Sequence, residues 1–350
     1  MRVSPAAYLV ALALWTTSAS GQPSRTEVRT QLPRDWRPYE QEVIVKKGGM
    51  VHSQDLIDRG ALRIVDGKST ARVGKIVVED GGTLVLPSNT LVEARSLTIG
   101  KGGRIAVGGG NVLLMNIDSI SGPGSGGTGV IDLSGEDGED GSEGDRGTPG
   151  AKGKKGRNSS CWPNHSAGAG GGGGSGGQGG EGEGGGPGGN GGYFTLSTIT
   201  WGPGLSVDVS GGKGGDGGHG GKGGPGGKGG KGGNASCCHE ADDGGRGGQG
   251  GPGGEGGNGA KGGNGGAIVI IYKVDASQGT SVLVAHGGQG GAGDPGGLGG
   301  EAGEGGSGGS PRCDKGKGPS GAPGIVGPNG QSGAQGGNGL AGQVLLQQDL

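Results

Sequence analysis

The chain has 350 residues, of which 104 are glycine and 17 proline, with 28% apolar residues, 3% aromatic residues and a formal net charge of −2. Glycine near one third without collagen's proline share or an unbroken G-X-Y period excludes collagen, and the near-zero charge gives no basis for binding nucleic acid or an anionic membrane surface. The apolar content is too low for an ordinary core over the full length, and it concentrates in residues 43–133 and in short runs between glycine tracts.

The N-terminus opens with Arg2, an apolar stretch from Ala6 to Trp15, and small residues from Thr16 to Gly21. This is the layout of a secretory signal peptide. Residues 1–21 are therefore expected to be removed after Ser20 or Gly21, leaving a secreted, extracellular protein. The stretch is too short for a membrane span, no later segment is apolar enough for one, and the tail Gln343–Leu350 is no lipid-anchor signal. Residues 22–42 are polar with three prolines and read as an irregular lead-in.

From Glu42 the pattern becomes strand-like. Short runs rich in β-branched residues or leucine occur at Glu42–Val45, Leu62–Val65, Lys75–Val78, Thr83–Leu86, Ser96–Ile99, Arg104–Val107 and Val112–Met115. Turns such as Asp80-Gly81-Gly82 separate them. Residues 43–134 are thus expected to form a β domain, either a solenoid or a sandwich.

Beyond it, three stretches follow one plan. A β-like run opens into glycine every third residue, reaches a cysteine, returns through more triplets and ends in another β-like run. Gly135, Gly211 and Gly287 start the outbound arms at intervals of 76, Cys161, Cys237 and Cys313 mark the tips at the same interval, and the returns end at Asn190, Asn264 and Asn338, 74 apart. A fixed period marks a repeat architecture. The glycine-rich part, residues 135–350, divides into repeats of about 130–205, 206–281 and 282–350. The runs between hairpins, Tyr193–Trp201 with Leu205–Val209 and Ile268–Val274 with Val282–Ala285, are strand-like and would extend the β domain beneath the arms.

Glycine at every third position of an extended three-residue helix gives one bare face, and two glycines per triplet give two. Bare faces let backbones approach and pair their N–H and C=O groups, which any buried stretch must do. The middle hairpin, mostly Gly-Gly-x, should therefore lie inside. The first outbound and last return arms, mainly Gly-x-y, should lie at the edges. The 23 residues from Gly211 to Gly233 would span about 70 Å at that rise. With all three tips at one end, two bridges should join neighbouring tips, Cys237 and Cys238 each taking one of Cys161 and Cys313.

Runs such as Gly217–Pro225, together with the tip cysteines, make residues 135–342 resemble the polyglycine II bundle proteins. Springtail antifreeze proteins and the glycine-rich domains of phage tail adhesins are members of that group. The expected fold class is therefore a mainly β N-terminal domain followed by a six-arm polyglycine II helix bundle made of three 76-residue hairpin repeats.

Four cysteines in an exported chain are expected as disulfides, although Cys161, Cys237, Cys238 and Cys313 with His165 and His239 could also hold zinc. Three Asn-x-Ser sequons, at Asn158, Asn164 and Asn234, lie beside the tip cysteines and are candidate glycosylation sites. His52, His219 and His286 read as solvated side chains. No phosphate loop and no grouping of nucleophile, base and orienting residue is evident, so neither an enzyme nor a cofactor is expected. Arm one is charge-segregated: Glu136, Asp137, Glu139, Asp140, Glu143 and Asp145 precede Arg146, Lys152, Lys154, Lys155 and Arg157. This is either a solvated face or a docking strip for another copy, a matrix polymer or mineral ions; the carboxylates lack the spacing of a calcium loop. The functional expectation is a rigid secreted structural protein of an extracellular or biomineral organic matrix, partnered by matrix components, a mineral surface or itself. Ice binding and adhesion through a glycosylated tip are the alternatives.

Overall fold

The computed structural model describes residues 41–349, except 66, 109 and 124–126. The expected signal peptide, and the lead-in up to residue 40, lie outside the described residues.

Alternating burial builds the fold as a stack of rungs. Each turn of the chain lays a longer strand in one sheet and a shorter strand in a second. The first rung is β1 (Glu42–Val45) and β2 (Met50–Val51), followed by a short helix α1 (Ser53–Asp58) and a strand β3 (Leu62–Val65). Three further rungs are β4 (Lys68–Val78) with β5 (Thr83–Val85), β6 (Thr90–Ile99) with β7 (Arg104–Ala106), and β8 (Val112–Ser121) with β9 (Gly129–Asp132). The first tip carries a small hairpin, β10 (Ser160–Cys161) and β11 (Asn164–His165). Rungs five to seven are β12 (Tyr193–Trp201) with β13 (Leu205–Asp208), β14 (Ala267–Asp275) with β15 (Val282–Val284), and β16 (Gln343–Gln348).

The first sheet has the order β1-β4-β6-β8-β12-β14-β16, with β3 antiparallel beside β4; the second has the order β15-β13-β9-β7-β5-β2. Apart from β3, neighbours within each sheet run parallel. Between the sheets lies a core of side chains including Ile99, Ile105, Leu113, Ile131, Phe194 and Ile268, all essentially inaccessible. At about 25 cal/mol per Å² of apolar surface removed from water, each such side chain contributes roughly 1.5–3 kcal/mol.

The turns from the first sheet to the second repeat a device. Gly81 and Gly102 hold the same place in successive rungs with φ of 66° and 64°, a region where a side chain is strained. Each turn donates a backbone N–H to the next: Gly48 to Asp80, Gly81 to Lys101 and Gly102 to Thr128, at 2.9–3.0 Å.

The turns from the second sheet back to the first decide the rest of the molecule. Residues 86–89 make one short turn, and another short one leads from Ala106 to Val112. In the next three rungs the same turn is replaced by residues 133–192, 209–266 and 285–342, the glycine hairpins. This corrects the expectation of a mainly β N-terminal domain followed by a six-arm polyglycine II helix bundle. The regular structure is two large parallel sheets, with α1 as the sole helix among the described residues. The arms are extended connections within those sheets. The reason is physical: Phe194, Leu196, Ile268 and Ile270 alternate inward on the runs between the arms and are fully buried in the same core as the earlier rungs. A break between a β domain ending at residue 134 and a bundle beginning at 135 would have left those faces in water. The described residues accordingly lie in one compact unit.

Candidate functional site: a charged face and a cross-linked tip

The hairpins supply six arms: arm 1 (135–156), arm 2 (168–191), arm 3 (211–233), arm 4 (244–266), arm 5 (287–309) and arm 6 (318–342). Outbound arms 1, 3 and 5 form one layer in continuation of β9, β13 and β15; return arms 2, 4 and 6 form the other and lead into β12, β14 and β16. Within each layer, every third N–H donates to the next parallel arm, as from Gly138 to Lys213, Gly217 to Ala292 and Gly173 to Arg246, at 2.8–2.9 Å. Between layers, antiparallel neighbours bond in the same rhythm, as from Gly177 to Thr148, Gly224 to Gly177 and Gly251 to Gly224, at 2.7–2.8 Å. Arms 3 and 4 each pair with four others, and arms 1 and 6 with two.

The spacing admits no side chain at the inner positions. A Cβ on Gly224 would lie 1.9 Å from the Thr148 carbonyl oxygen, and one on Gly248 1.9 Å from that of Gly174. The third residue of each triplet in arms 1 to 5, and the second in arm 6, therefore points outward, and the register turns these residues into a flat grid. On the outbound layer, arms 1, 3 and 5 align at the 76-residue interval set by β9, β13 and β15. Asp140, Asp216 and Ala292 share a row, as do Lys155, Lys231 and Ser307.

Side-chain contacts across the rows follow this alignment. The Asp140 carboxylate accepts the Asp216 N–H at 2.8 Å, and the Asp216 carboxylate accepts the Ala292 N–H at 2.8 Å. Asn158 and Asn234 do the same for Asn234 and Ser310. Lys222 pairs with Glu301 at 3.0 Å, Lys228 with Glu304 at 2.8 Å, and His219 Nδ1 lies 3.3 Å from Asp294. The Ala292 N–H, and after it the Lys213 ammonium, hold the Asp216 carboxyl below the usual carboxylate range. Lys222 and Lys228 do the same for Glu301 and Glu304, while Asp216 raises Lys213. The face is polarised along arm 1, whose half near the sheets carries Asp137, Asp140 and Glu143 and whose outer half carries Lys152 and Lys155; arms 3 and 5 mix the signs, with Lys213 beside Asp216 and with Glu301 and Glu304 beside Lys222 and Lys228.

The return layer differs. Arms 2, 4 and 6 align through β12, β14 and β16. Their outward residues are mostly small or neutral, including Ser175, Gln249, Ile325, Pro252, Pro328, Asn258 and Ala334. From 318 to 348, arm 6 and β16 contain no charged residue.

At the tips, Cys161 is bridged to Cys238 and Cys237 to Cys313, so the middle tip is tied to both neighbours. Sulfurs held in bridges are not thiolate ligands for zinc, and no group able to hold a metal occurs among the described residues. His239 hydrogen-bonds Asn164. Of the sequon residues, Asn158 and Asn164 are exposed, while Asn234 is half-buried with its side-chain oxygen committed to Ser310. Trp162, which the sequence reading did not single out, is 92% exposed beside the first bridge.

Other histidines fall apart in space: His52 precedes α1, its N–H donating to Asp55 at 2.9 Å, and the His286 carbonyl accepts from Gly211. No helix among the described residues is long and apolar enough to cross a membrane. The alignment of rows was missed at the sequence level, though reading each outward residue against those 76 positions away reveals it. Comparison with protein-family models, curated proteins and solved structures found no match.

Proposed function

We propose that the protein is a secreted structural element of an extracellular or mineral-associated matrix, acting as a stiff, disulfide-tied slab that presents a charged face. The observation that carries this reading is the arm block itself: six extended arms bonded to one another at every third residue and cross-linked at their tips. Backbone bonding along the whole arm favours rigidity, because a local opening must break bonds to several neighbours at once. Disulfides fit an oxidising compartment, and the sequence layout of residues 1–21 fits export. The polarised outbound face suits contact with a charged polymer, a mineral surface or another copy. Mass spectrometry of the insoluble matrix and the soluble fluid of the source organism tests it. Enrichment of peptides such as Ile268–Lys273 in the matrix is expected; abundance in fluid with none in matrix overturns it.

A second reading, ice binding, is favoured by the return face. It is flat, sparsely charged and built of small residues such as Ser175, Ala322 and Ala334. A thermal hysteresis assay decides it, and substitutions on the return face, not the outbound face, are expected to abolish any activity found.

A further inference from the structure

We infer that the outbound face is a self-docking surface: a second copy lies on it antiparallel, about a twofold axis, with the acidic half of arm 1 on the basic half of the other copy's arm 1. This goes beyond the reading above, since it rests on the face alone and not on where the protein is used.

The grid fixes which residues meet. The outward positions of arm 1 run Asp137, Asp140, Glu143, Arg146, Pro149, Lys152, Lys155 and Asn158. Reversing this column against itself sets Asp140 opposite Lys155 and Glu143 opposite Lys152, with the dyad between Arg146 and Pro149. Arm 3 reproduces one of these pairs in register, with Asp216 opposite Lys231. A twofold contact is favoured where charges find their opposites at the reflected positions, and these three pairs do so, while Asp137, Arg146, Lys213 and Lys222 meet neutral residues and Lys228 meets His219. A parallel stacking would set carboxylate on carboxylate and ammonium on ammonium.

Three further observations support the contact. Asp140, Glu143, Lys152 and Lys155 are exposed, and none of the four is in an ion pair among the described residues. The outward side chains stand on glycine backbones that cannot shift, so the face is flat and preorganised, which lowers the ordering cost of association. Eight triplets at about 3.1 Å per residue and three arms at about 4.8 Å give roughly 700–1,000 Å² per copy, close to the roughly 800 Å² of a standard interface.

Sedimentation equilibrium on the secreted chain tests the proposal. A dimer is expected at about 20 mM salt and a monomer at about 500 mM, where screening is nearly complete. The double variants Asp140→Lys with Glu143→Lys, and Lys152→Glu with Lys155→Glu, are each expected to weaken dimerisation at least 100-fold, about 2.8 kcal/mol at 1.4 kcal/mol per tenfold. Mixed in equal amounts, they are expected to form a one-to-one dimer. Lys152 and Lys155 make no hydrogen bond among the described residues, so the second variant remains informative if the first folds poorly. A wild-type monomer at low salt overturns the inference. So does a folded variant that dimerises like wild type, or two folded variants that fail to pair.

Discussion

The rungs and the arms hold parallel segments side by side by opposite means. In the rungs, side chains fill the space between sheets: Phe194, Leu196, Ile268 and Ile270 reach the core from strands that lie between hairpins. In the arms no side chain enters the space between segments, and backbone groups bond directly across it. The register is nonetheless continuous. The interval that pairs Val130 with Ser206 in the sheet also sets Asp140 beside Asp216 in the arms. The sheets act as a template that fixes where each arm starts. The arms then maintain the alignment without a core, which offsets glycine's large loss of backbone freedom.

This contrast can be broken from either side. Removing volume from a rung is expected to have the largest effect: Phe194→Ala should cost about 3–5 kcal/mol through the cavity it leaves, read as a lower midpoint in chemical denaturation. Next comes the covalent tie. Each bridge closes a loop with a sequence separation of 76 or 77, which the chain-entropy model values at about 4–5 kcal/mol, though measured losses on removing native bridges run about 2–5. Reduction should therefore lower the melting temperature and raise hydrogen exchange first at residues 234–243, before the sheets respond.

In the arms the sign reverses, and adding volume does the damage. Gly224→Ala places its new methyl against the Thr148 carbonyl and should cost about 1–3 kcal/mol or more. Gly337→Ala, where a Cβ meets nothing within 4 Å, should stay within about 0.5 kcal/mol of wild type. If both glycines tolerate alanine equally in thermal melts, backbone contact is not what holds the arms.

The smallest expected effect is acidification. Asp216, Glu301 and Glu304 have carboxyls held below their ordinary range when folded. Their contribution is present above the unfolded value, about 4, and is lost as pH falls through the folded value. These groups are exposed, so only a slight loss of stability below about pH 4 is expected, and added salt should mask it.

Much of this was legible in the sequence, because glycine spacing encodes contact directly. The Gly-Gly-x arms 3 and 4 have four neighbours, and the Gly-x-y arms 1 and 6 have two. The strand character of Tyr193–Trp201 and Ile268–Val274 was plain from their β-branched content. That they extend the β domain was expected and is observed; that they join it as parallel rungs of the same two sheets, making the hairpins insertions into turns, was not legible, since alternation shows that a face is buried but not against what.

The end of the third return was also misread. Asn338 is 74 residues beyond Asn264, but the Asn264 side chain bonds the Leu340 N–H, and Ala267 pairs with Gln343, both at an interval of 76. The two intervals differ by two residues because arm 6 presents the second residue of each triplet where arm 4 presents the third, so an asparagine cannot fix the phase; the strand that follows does. On the candidate site, the cysteines and sequons were visible, whereas the polarised grid emerged only when outward residues were read across arms.

The shared middle tip has a mechanical consequence. Because Cys237 and Cys238 bind opposite neighbours, a pull on any one tip is passed to all three hairpins. Directed along the arms, that load falls on many rows of N–H···O=C bonds in shear at the same time, rather than on one bond after another. Directed across the slab, it would peel the edge arms 1 and 6 first, since each has half the neighbours of the arms inside. The molecule is thus built to be strong in one direction and separable in another, as a grained material is.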